Sequence, residues 1–188
     1  MILLNFFLLI LIKTNKNQCP DRTIKSKAAS YLHVKALAAE GFGIDSTLIL
    51  TTVDGKESKL YDLIDINPVL VLRSSEMNCQ SCIKEILSIL NEEKYLKLRN
   101  NIIGISSYYE IRTFYSFLNN NNSDISFYMT DILSGNLDIN LDNINVPYFF
   151  VLLPSMKTER IFIPEKGNRS LTKDYLNLIS DIYFGGTS

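Results

Sequence analysis

The feature that most constrains this chain is a buried strand that leads directly into a pair of cysteines at the start of a helix. Residues Val69–Arg73 are almost wholly apolar, which predicts a strand buried on both faces of a sheet. A short polar loop follows, and Cys79 and Cys82 then open the helical pattern of residues 83–90. A strand covered on both faces needs helices packed against it, so the unit favours a layered α/β domain.

The spacing of the two cysteines is typical of redox chemistry. At a helix N-terminus the sulfur of Cys79 meets unpaired backbone N–H groups and the positive end of the helix dipole, and both favour thiolate over thiol. Cys82 lies one turn further along, close enough to close a small disulfide ring. The pair can therefore accept and return two electrons by thiol–disulfide exchange.

Composition excludes several other kinds of site. With 188 residues and 46% apolar content, one domain can bury a full core without disulfide staples. The 19 basic and 20 acidic residues form no charged block, so nucleic acid is not expected as a partner. The chain has a single histidine and no second Cys-x-x-Cys pair, so the paired spacing of a four-ligand zinc site is missing, as are the nucleotide-binding and haem-attachment motifs. We therefore predict neither a metal nor a cofactor.

The first residues predict export. Residues 2–12 are nearly all apolar and residues 13–18 are polar and basic, as in the h-region of a secretory signal, and the run is too short to span a bilayer. Residues 1–21 are thus predicted to be a signal peptide or a membrane anchor, which places the protein outside the cytoplasm, periplasmic or membrane-tethered. No basic residue precedes the run and no clear cleavage site follows it, so an uncleaved tether is the alternative. The residues before Cys19 do not favour lipid attachment there.

Residues 22–42 are predicted to form a helical linker arm, because alanines and leucines recur at helical spacing and Gly41 supplies a C-cap. His33 lies in this arm with no acidic or cysteine neighbour one turn away, which predicts an ordinary solvated residue. The remaining residues, 43–188, are predicted to form the folded domain.

Strand and helix patterns alternate through this domain, which predicts an α/β fold with a central mixed sheet flanked by helices. Residues 58–64 fit a short return strand or a helical turn. The last two strands are joined by a short turn and are expected to form an antiparallel hairpin. The predicted strands are 47–53, 69–73, 102–106, 126–130, 148–153 and 160–163, and the predicted helices are 79–97, 110–118 and 172–183.

This order of elements and three motifs resemble the thioredoxin-like superfamily, in particular its redoxin branch of exported or membrane-tethered proteins. The motifs are residues 52–63, with Asp54-Gly55-Lys56 and a later Leu-Tyr-Asp-Leu, the strand–loop–Cys79-Gln-Ser-Cys82–helix unit, and Asn145-Val146-Pro147 before the final hairpin. The resemblance implies a thioredoxin-like fold over residues 43–184. It also implies that Pro147 is cis and packs against the cysteines, while Val146 offers its backbone to a substrate strand. A trans proline that simply opens a strand is the alternative.

Other positions depart from the family pattern. The chain has no Trp, Asn78 stands where thioredoxin has an aromatic residue, and no Gly-Pro lies between the cysteines, so the redox potential is not fixed by the sequence. Glu76 is a candidate for proton transfer with the second sulfur, the role that a buried acid plays in thioredoxins. Arg73 would favour the thiolate form of the cysteines through its positive charge, or it would pair with Glu76.

The leading hypothesis is a thiol–disulfide oxidoreductase whose partners are protein thiols and disulfides, with Cys79 as the attacking thiolate and Cys82 as the resolving thiol. The sequence favours neither direction, so the protein could act on its partners as a reductant or as an oxidant. A peroxidase of the peroxiredoxin type would need a hydroxyl three residues before the reactive sulfur, where this chain has Glu76. The cysteine pair is also compatible with a thioredoxin-like Cu(I) carrier, since paired thiolates are soft ligands, and with a redox-inactive interaction module.

Overall fold

The computed structural model describes residues 31–64, 66–121, 123–131, 137 and 139–185. The predicted signal or anchor segment, residues 1–21, lies outside these ranges, as does the first part of the predicted arm, residues 22–42. The rest of the arm is helical over residues 31–38, here called α1. Within the described ranges no helix has the length and apolar character to cross a membrane.

A mixed sheet forms the centre of the domain, as predicted. In the part of the chain that the structure describes it has seven strands, in the order β2-β1-β5-β4-β3-β6-β7. Strands β3, β4 and β5 are parallel, and the remaining pairs, including the hairpin of β6 and β7, are antiparallel. The strands are β1 Ile49–Thr51, β2 Glu57–Lys59, β3 Val69–Ser75, β4 Ile102–Tyr108, β5 Ser126–Asp131, β6 Tyr148–Leu152 and β7 Thr158–Phe162.

Helices cover the sheet. After α1 they are α2 Leu60–Leu63, α3 Gln80–Leu90, α4 Leu96–Arg99, α5 Ile111–Asn121 and α6 Arg169–Tyr183, with 3-10 turns at Glu93–Tyr95 and Asp142–Ile144. Residues 58–64, predicted as a short strand or a helical turn, contain both elements, since β2 is followed directly by α2. Helix α6 begins three residues earlier than predicted because the side chain of Asn168 accepts the backbone N–H of Leu171 and caps it.

The long helix predicted over residues 79–97 is divided, which corrects the sequence interpretation. Helix α3 ends at Leu90, and the extended backbone at Glu92 turns the chain before the 3-10 turn and α4. This turn buries the ring of Tyr95, whose hydroxyl donates to the side chain of Asn177 on α6. The break therefore lets a large aromatic side chain fill the space between two helices.

The sheet separates two apolar clusters. Because side chains alternate along a strand, Leu70 and Leu72 face the cluster that includes the apolar side of α3, while Val71 faces the other cluster. Strand β4 is buried along its whole length. The first cluster also takes side chains from α5 and α6, and the second takes Leu137, Ile139 and Leu141 from the segment before β6. Helix α3 is thus fixed to one face, with the cysteines at its first turn.

Gly104, in the middle of β4, allows a close approach between neighbouring strands. A Cβ atom at this position would overlap the aromatic ring of Phe127 on β5, which is itself almost fully buried. Glycine is therefore needed for packing here, since a buried ring in a dense core has little room to move.

Replacing Gly104 by alanine should lower the free energy of unfolding by roughly 1–3 kcal/mol, because the new methyl group displaces the ring of Phe127. Urea denaturation measures the change. Gly43→Ala is the matched control, since a Cβ there meets no atom within 4 Å and the substitution should leave stability nearly unchanged. Equal stability of the two variants would contradict the packing role of Gly104.

Candidate functional site

The loop between β3 and α3 holds the two cysteines in a fixed frame of hydrogen bonds. The backbone N–H of Glu76 donates to the carbonyl of Ser107 at 2.9 Å, and the side-chain oxygen of Asn78 accepts the N–H of Ser75 at 2.9 Å. Cys79 is the N-cap residue of α3, and its carbonyl accepts the N–H of Cys82 at 3.0 Å. The first sulfur therefore lies where the unpaired N–H groups of the helix converge.

The two sulfurs have opposite environments. Cys79 is exposed and Cys82 is half-buried, and both are free thiols. The hydroxyl of Ser81, 3.0 Å from the Cys79 sulfur, lowers the pKa of Cys79 to about 6, together with hydrogen bonds from the thiol and the N–H of Cys82. Burial, and then the interaction with Cys79, raises the pKa of Cys82 above its ordinary value. At neutral pH the site thus presents one exposed thiolate beside one protonated thiol.

Lys166 is a site residue that the sequence analysis missed. It lies in the connection between β7 and α6, and with Glu85 it lines a small pocket beside Cys82. Its positive charge lowers the pKa of both cysteines, while the carboxylate of Glu85 raises that of Cys82. No sequence spacing links Lys166 to cysteines more than 80 positions away, and only the return of β7 and α6 to this side of the sheet brings them together.

Glu76 makes its contacts on another side of the loop. One carboxylate oxygen accepts the N–H of Tyr109 at 3.2 Å, and burial together with the Glu76 charge raises the pKa of Tyr108. The charges that shift the pKa of Cys82 belong to Cys79, Lys166 and Glu85. Proton transfer by Glu76 stays a prediction, and Glu85 is the carboxylate that shares a pocket with the second sulfur.

The expectation that Arg73 pairs with Glu76 is wrong. The Nε atom of Arg73 donates to Asp142 at 3.0 Å, and the side chains of both residues are at least nine-tenths buried. Arg73 also donates to the carbonyl of Ser74 and to the hydroxyl of Ser107, while the hydroxyl of Tyr148 donates to the same Asp142 oxygen at 2.8 Å. This buried network ties the segment before β6 to the end of β3.

The antiparallel register places Val146 and Pro147 at the same end of the sheet as the cysteine loop. Arg73 lies opposite Tyr148, so Pro147 falls one residue beyond, beside the end of β3. Pro147 is buried and Val146 is half-buried. No peptide bond among the described residues is cis, so the implied cis geometry is wrong and Pro147 follows a trans bond. The left-handed backbone of Asn145, with φ of 54°, turns the chain into β6 instead.

Solved structures with a similar fold include the thioredoxin domain of a thiol-disulfide oxidoreductase from Bacteroides vulgatus and a peroxidoxin from Mycobacterium tuberculosis. The first has a TM-score of 0.52 and 16% identity, over 74% of this chain and 99% of that one. The second has a TM-score of 0.55 and 12% identity, over 77% of this chain and 97% of that one. No protein-family model and no curated protein matches the sequence. The thioredoxin-like fold is confirmed, and at these identities the likeness concerns the fold alone.

The rate of alkylation of Cys79 by iodoacetamide should rise with pH through a midpoint near 6, because the thiolate is the reactive form and its pKa is lowered to about 6. About nine in ten Cys79 side chains would be thiolate at pH 7. Ser81→Ala should move the midpoint upward, since it removes the largest cause of the shift. Mass spectrometry of the labelled peptide measures the profile.

Ser88→Ala, two turns further along the same helix, is the control and should leave the midpoint in place. A wild-type midpoint near the ordinary thiol value of about 8.5, or one that Ser81→Ala does not change, would contradict this account of the site.

Arg73→Met should lower the free energy of unfolding by about 3–5 kcal/mol, because it leaves the carboxylate of Asp142 buried without its cation. Chemical denaturation measures the loss. Arg99→Met is the control, since its partner Asp124 is largely exposed and the loss should stay below about 1 kcal/mol. A similar small loss for Arg73→Met would show that the buried pair does not hold this end of the sheet.

Proposed function

We propose that this protein is a thiol–disulfide oxidoreductase that exchanges electrons with protein disulfides through Cys79 and Cys82. The observation that carries the proposal is the contrast between the two sulfurs, one exposed with a pKa lowered to about 6 and one half-buried with a raised pKa. An attacking thiol works best when its pKa lies near ambient pH, and a resolving thiol must stay protonated until the first step is complete. A neighbour in fold that is named a thiol-disulfide oxidoreductase supports the same function.

The exchange takes two steps. The Cys79 thiolate attacks one sulfur of the substrate disulfide, so a bond forms between Cys79 and the substrate while the substrate S–S bond breaks and its other sulfur leaves as a thiolate. Cys82 then loses its proton and attacks the Cys79 sulfur, which closes the internal disulfide and releases the second substrate thiolate. The substrate gains two electrons and the protein loses them. The reverse sequence oxidises a substrate dithiol, and the relative reduction potentials set the direction.

The structure offers groups for each step. Ser81 donates to the attacking sulfur, and the charge of Lys166 favours thiolate at both cysteines. The proton of Cys82 leaves in the second step, and Glu85 in the shared pocket is placed to receive it, with Glu76 as the candidate from the sequence. The exposed part of the Val146–Pro147 segment would supply backbone groups to an extended substrate.

The chain is proposed to work outside the cytoplasm, periplasmic or membrane-tethered. The support is the apolar run at residues 2–12, within a proposed signal or anchor segment 1–21, followed by a helical arm at 22–42 and the thioredoxin-like domain at 43–188. Thiol exchange is useful in such compartments because disulfides form and persist there. Exported proteins that contain disulfides would then be the substrates.

Cys79→Ser should abolish disulfide exchange, whereas Cys82→Ser should still attack but fail to release the partner. Turnover of insulin disulfides with a thiol donor measures the first effect, and mixed disulfides seen on non-reducing gels measure the second. Ser88→Cys, made in the Cys79→Ser variant, is the control, because an exposed thiol further along α3 should not restore activity. Full activity of the Cys79 variant would remove this mechanism.

A further inference from the structure

A polar cavity of about 250 Å³ lies beside the cysteine loop. Its walls come from the loop after β3, from the end of β4 at Tyr108, and from α5, which contributes Ser116 and Asn121 among others. The volume far exceeds the roughly 10–15 Å³ that one water needs. The cavity therefore has room for a side chain from another molecule.

The position of the cavity relative to the reactive sulfur is its most important property. Asn78 and Gln80, the residues on either side of Cys79, both line it. A polypeptide joined to Cys79 through a mixed disulfide would begin at the edge of this cavity. An extended chain spans about 3.3–3.6 Å per residue, so a side chain one to three positions from the substrate cysteine can enter it.

The lining offers hydrogen-bond acceptors and one negative charge. Among the residues that line the cavity, only Glu76 is charged. One of its carboxylate oxygens accepts the N–H of Tyr109, and no described ion pair includes it. Further lining residues, among them Gln80, Thr113 and Asn120, carry amide or hydroxyl oxygens that can accept hydrogen bonds. A ligand that brings a positive charge and several N–H donors would therefore be favoured.

Resting on the thiol-exchange function proposed above, we propose that this cavity binds an arginine side chain of the substrate polypeptide, close in sequence to the cysteine that Cys79 attacks. A guanidinium group carries five N–H donors and a fixed positive charge, which match the carboxylate of Glu76 together with the amide and hydroxyl oxygens of the lining. Lysine has the charge but three donors on one atom, so it satisfies these separate acceptors less well.

Two exposed side chains, here called the rim, suit the rest of an extended peptide. Met77 and Tyr109 each adjoin a lining residue in sequence and are 63% and 62% exposed, and the hydrogen bond from the N–H of Tyr109 to Glu76 keeps their two loops adjacent. Exposed methionine and tyrosine side chains supply adaptable apolar contact for many sequences. The rim would hold the peptide without sequence preference, and the cavity would select the basic residue.

Synthetic peptides with one cysteine, each joined to thionitrobenzoate through a disulfide, test the proposal with the full chain. The peptides differ only in the residue two positions after cysteine, which is arginine, lysine or citrulline, the uncharged analogue of arginine. Release of thionitrobenzoate should be about tenfold faster for arginine than for citrulline, with lysine between them, as a charge-assisted bond requires. Glu76→Gln should bring the arginine-to-citrulline ratio close to one. The ratio is the readout because a change in sulfur chemistry alone affects both peptides equally.

Glu110→Gln is the matched control, since it removes an exposed charge one residue after Tyr109 that does not line the cavity, and it should keep the ratio. Equal rates for arginine and citrulline in the wild type would overturn the proposal while leaving thiol exchange intact. A chemically formed adduct on Cys82→Ser provides a test without turnover. At exchange equilibrium this variant should prefer the arginine peptide over citrulline by about tenfold, and an equal distribution would overturn the proposal even if catalysis were absent.

Discussion

The positions of the cysteine loop and of the Pro147 segment both depend on where strand β3 ends. This strand is hydrogen-bonded on both sides, parallel to β4 and antiparallel to β6, and its side chains are buried on both faces. The cysteine loop leaves from its C-terminal end, and the register with β6 brings the Pro147 segment to the same end. The Arg73–Asp142 pair then closes this end from the second face of the sheet. A shift of β3 by one residue would exchange the faces of all these side chains at once.

The chemistry of the two sulfurs arises from local structure more than from distant charge. Ser81 and the first-turn contacts between the cysteines are the largest causes of the lowered pKa of Cys79, and Lys166 contributes less. The difference between Cys79 and Cys82 follows from helix geometry, because a residue at the N-cap faces solvent while one three positions later turns toward the core. A four-residue motif at a helix start thus supplies both an exposed thiol with a lowered pKa and a half-buried thiol with a raised pKa.

The sequence predicted what local pattern controls and missed what long-range packing controls. The strand before the cysteines, the hairpin of β6 and β7 and the α/β layering follow from apolar periodicity, and the structure agrees. The end of α3 at Leu90 was missed because residues 91–94, Asn-Glu-Glu-Lys, fit an exposed helical turn as well as a loop. The burial of Tyr95, whose hydroxyl contacts α6, accounts for the break. The partner of Arg73 lies 69 positions away, so pairing with the nearby Glu76, one of the two roles expected for Arg73, is wrong. The register of the strands and the connections between them decide which distant residues meet in the sheet. The spacing of residues along the sequence contains no record of either.

The division of the apolar interior by the sheet has its own consequence. Helix α3 packs on one face, while the segment around Leu137, Ile139 and Leu141 packs on the other with Ala39 and Ile44. Substitutions among these apolar side chains can therefore change the stability of the molecule without removing any of the groups that set the pKa of Cys79.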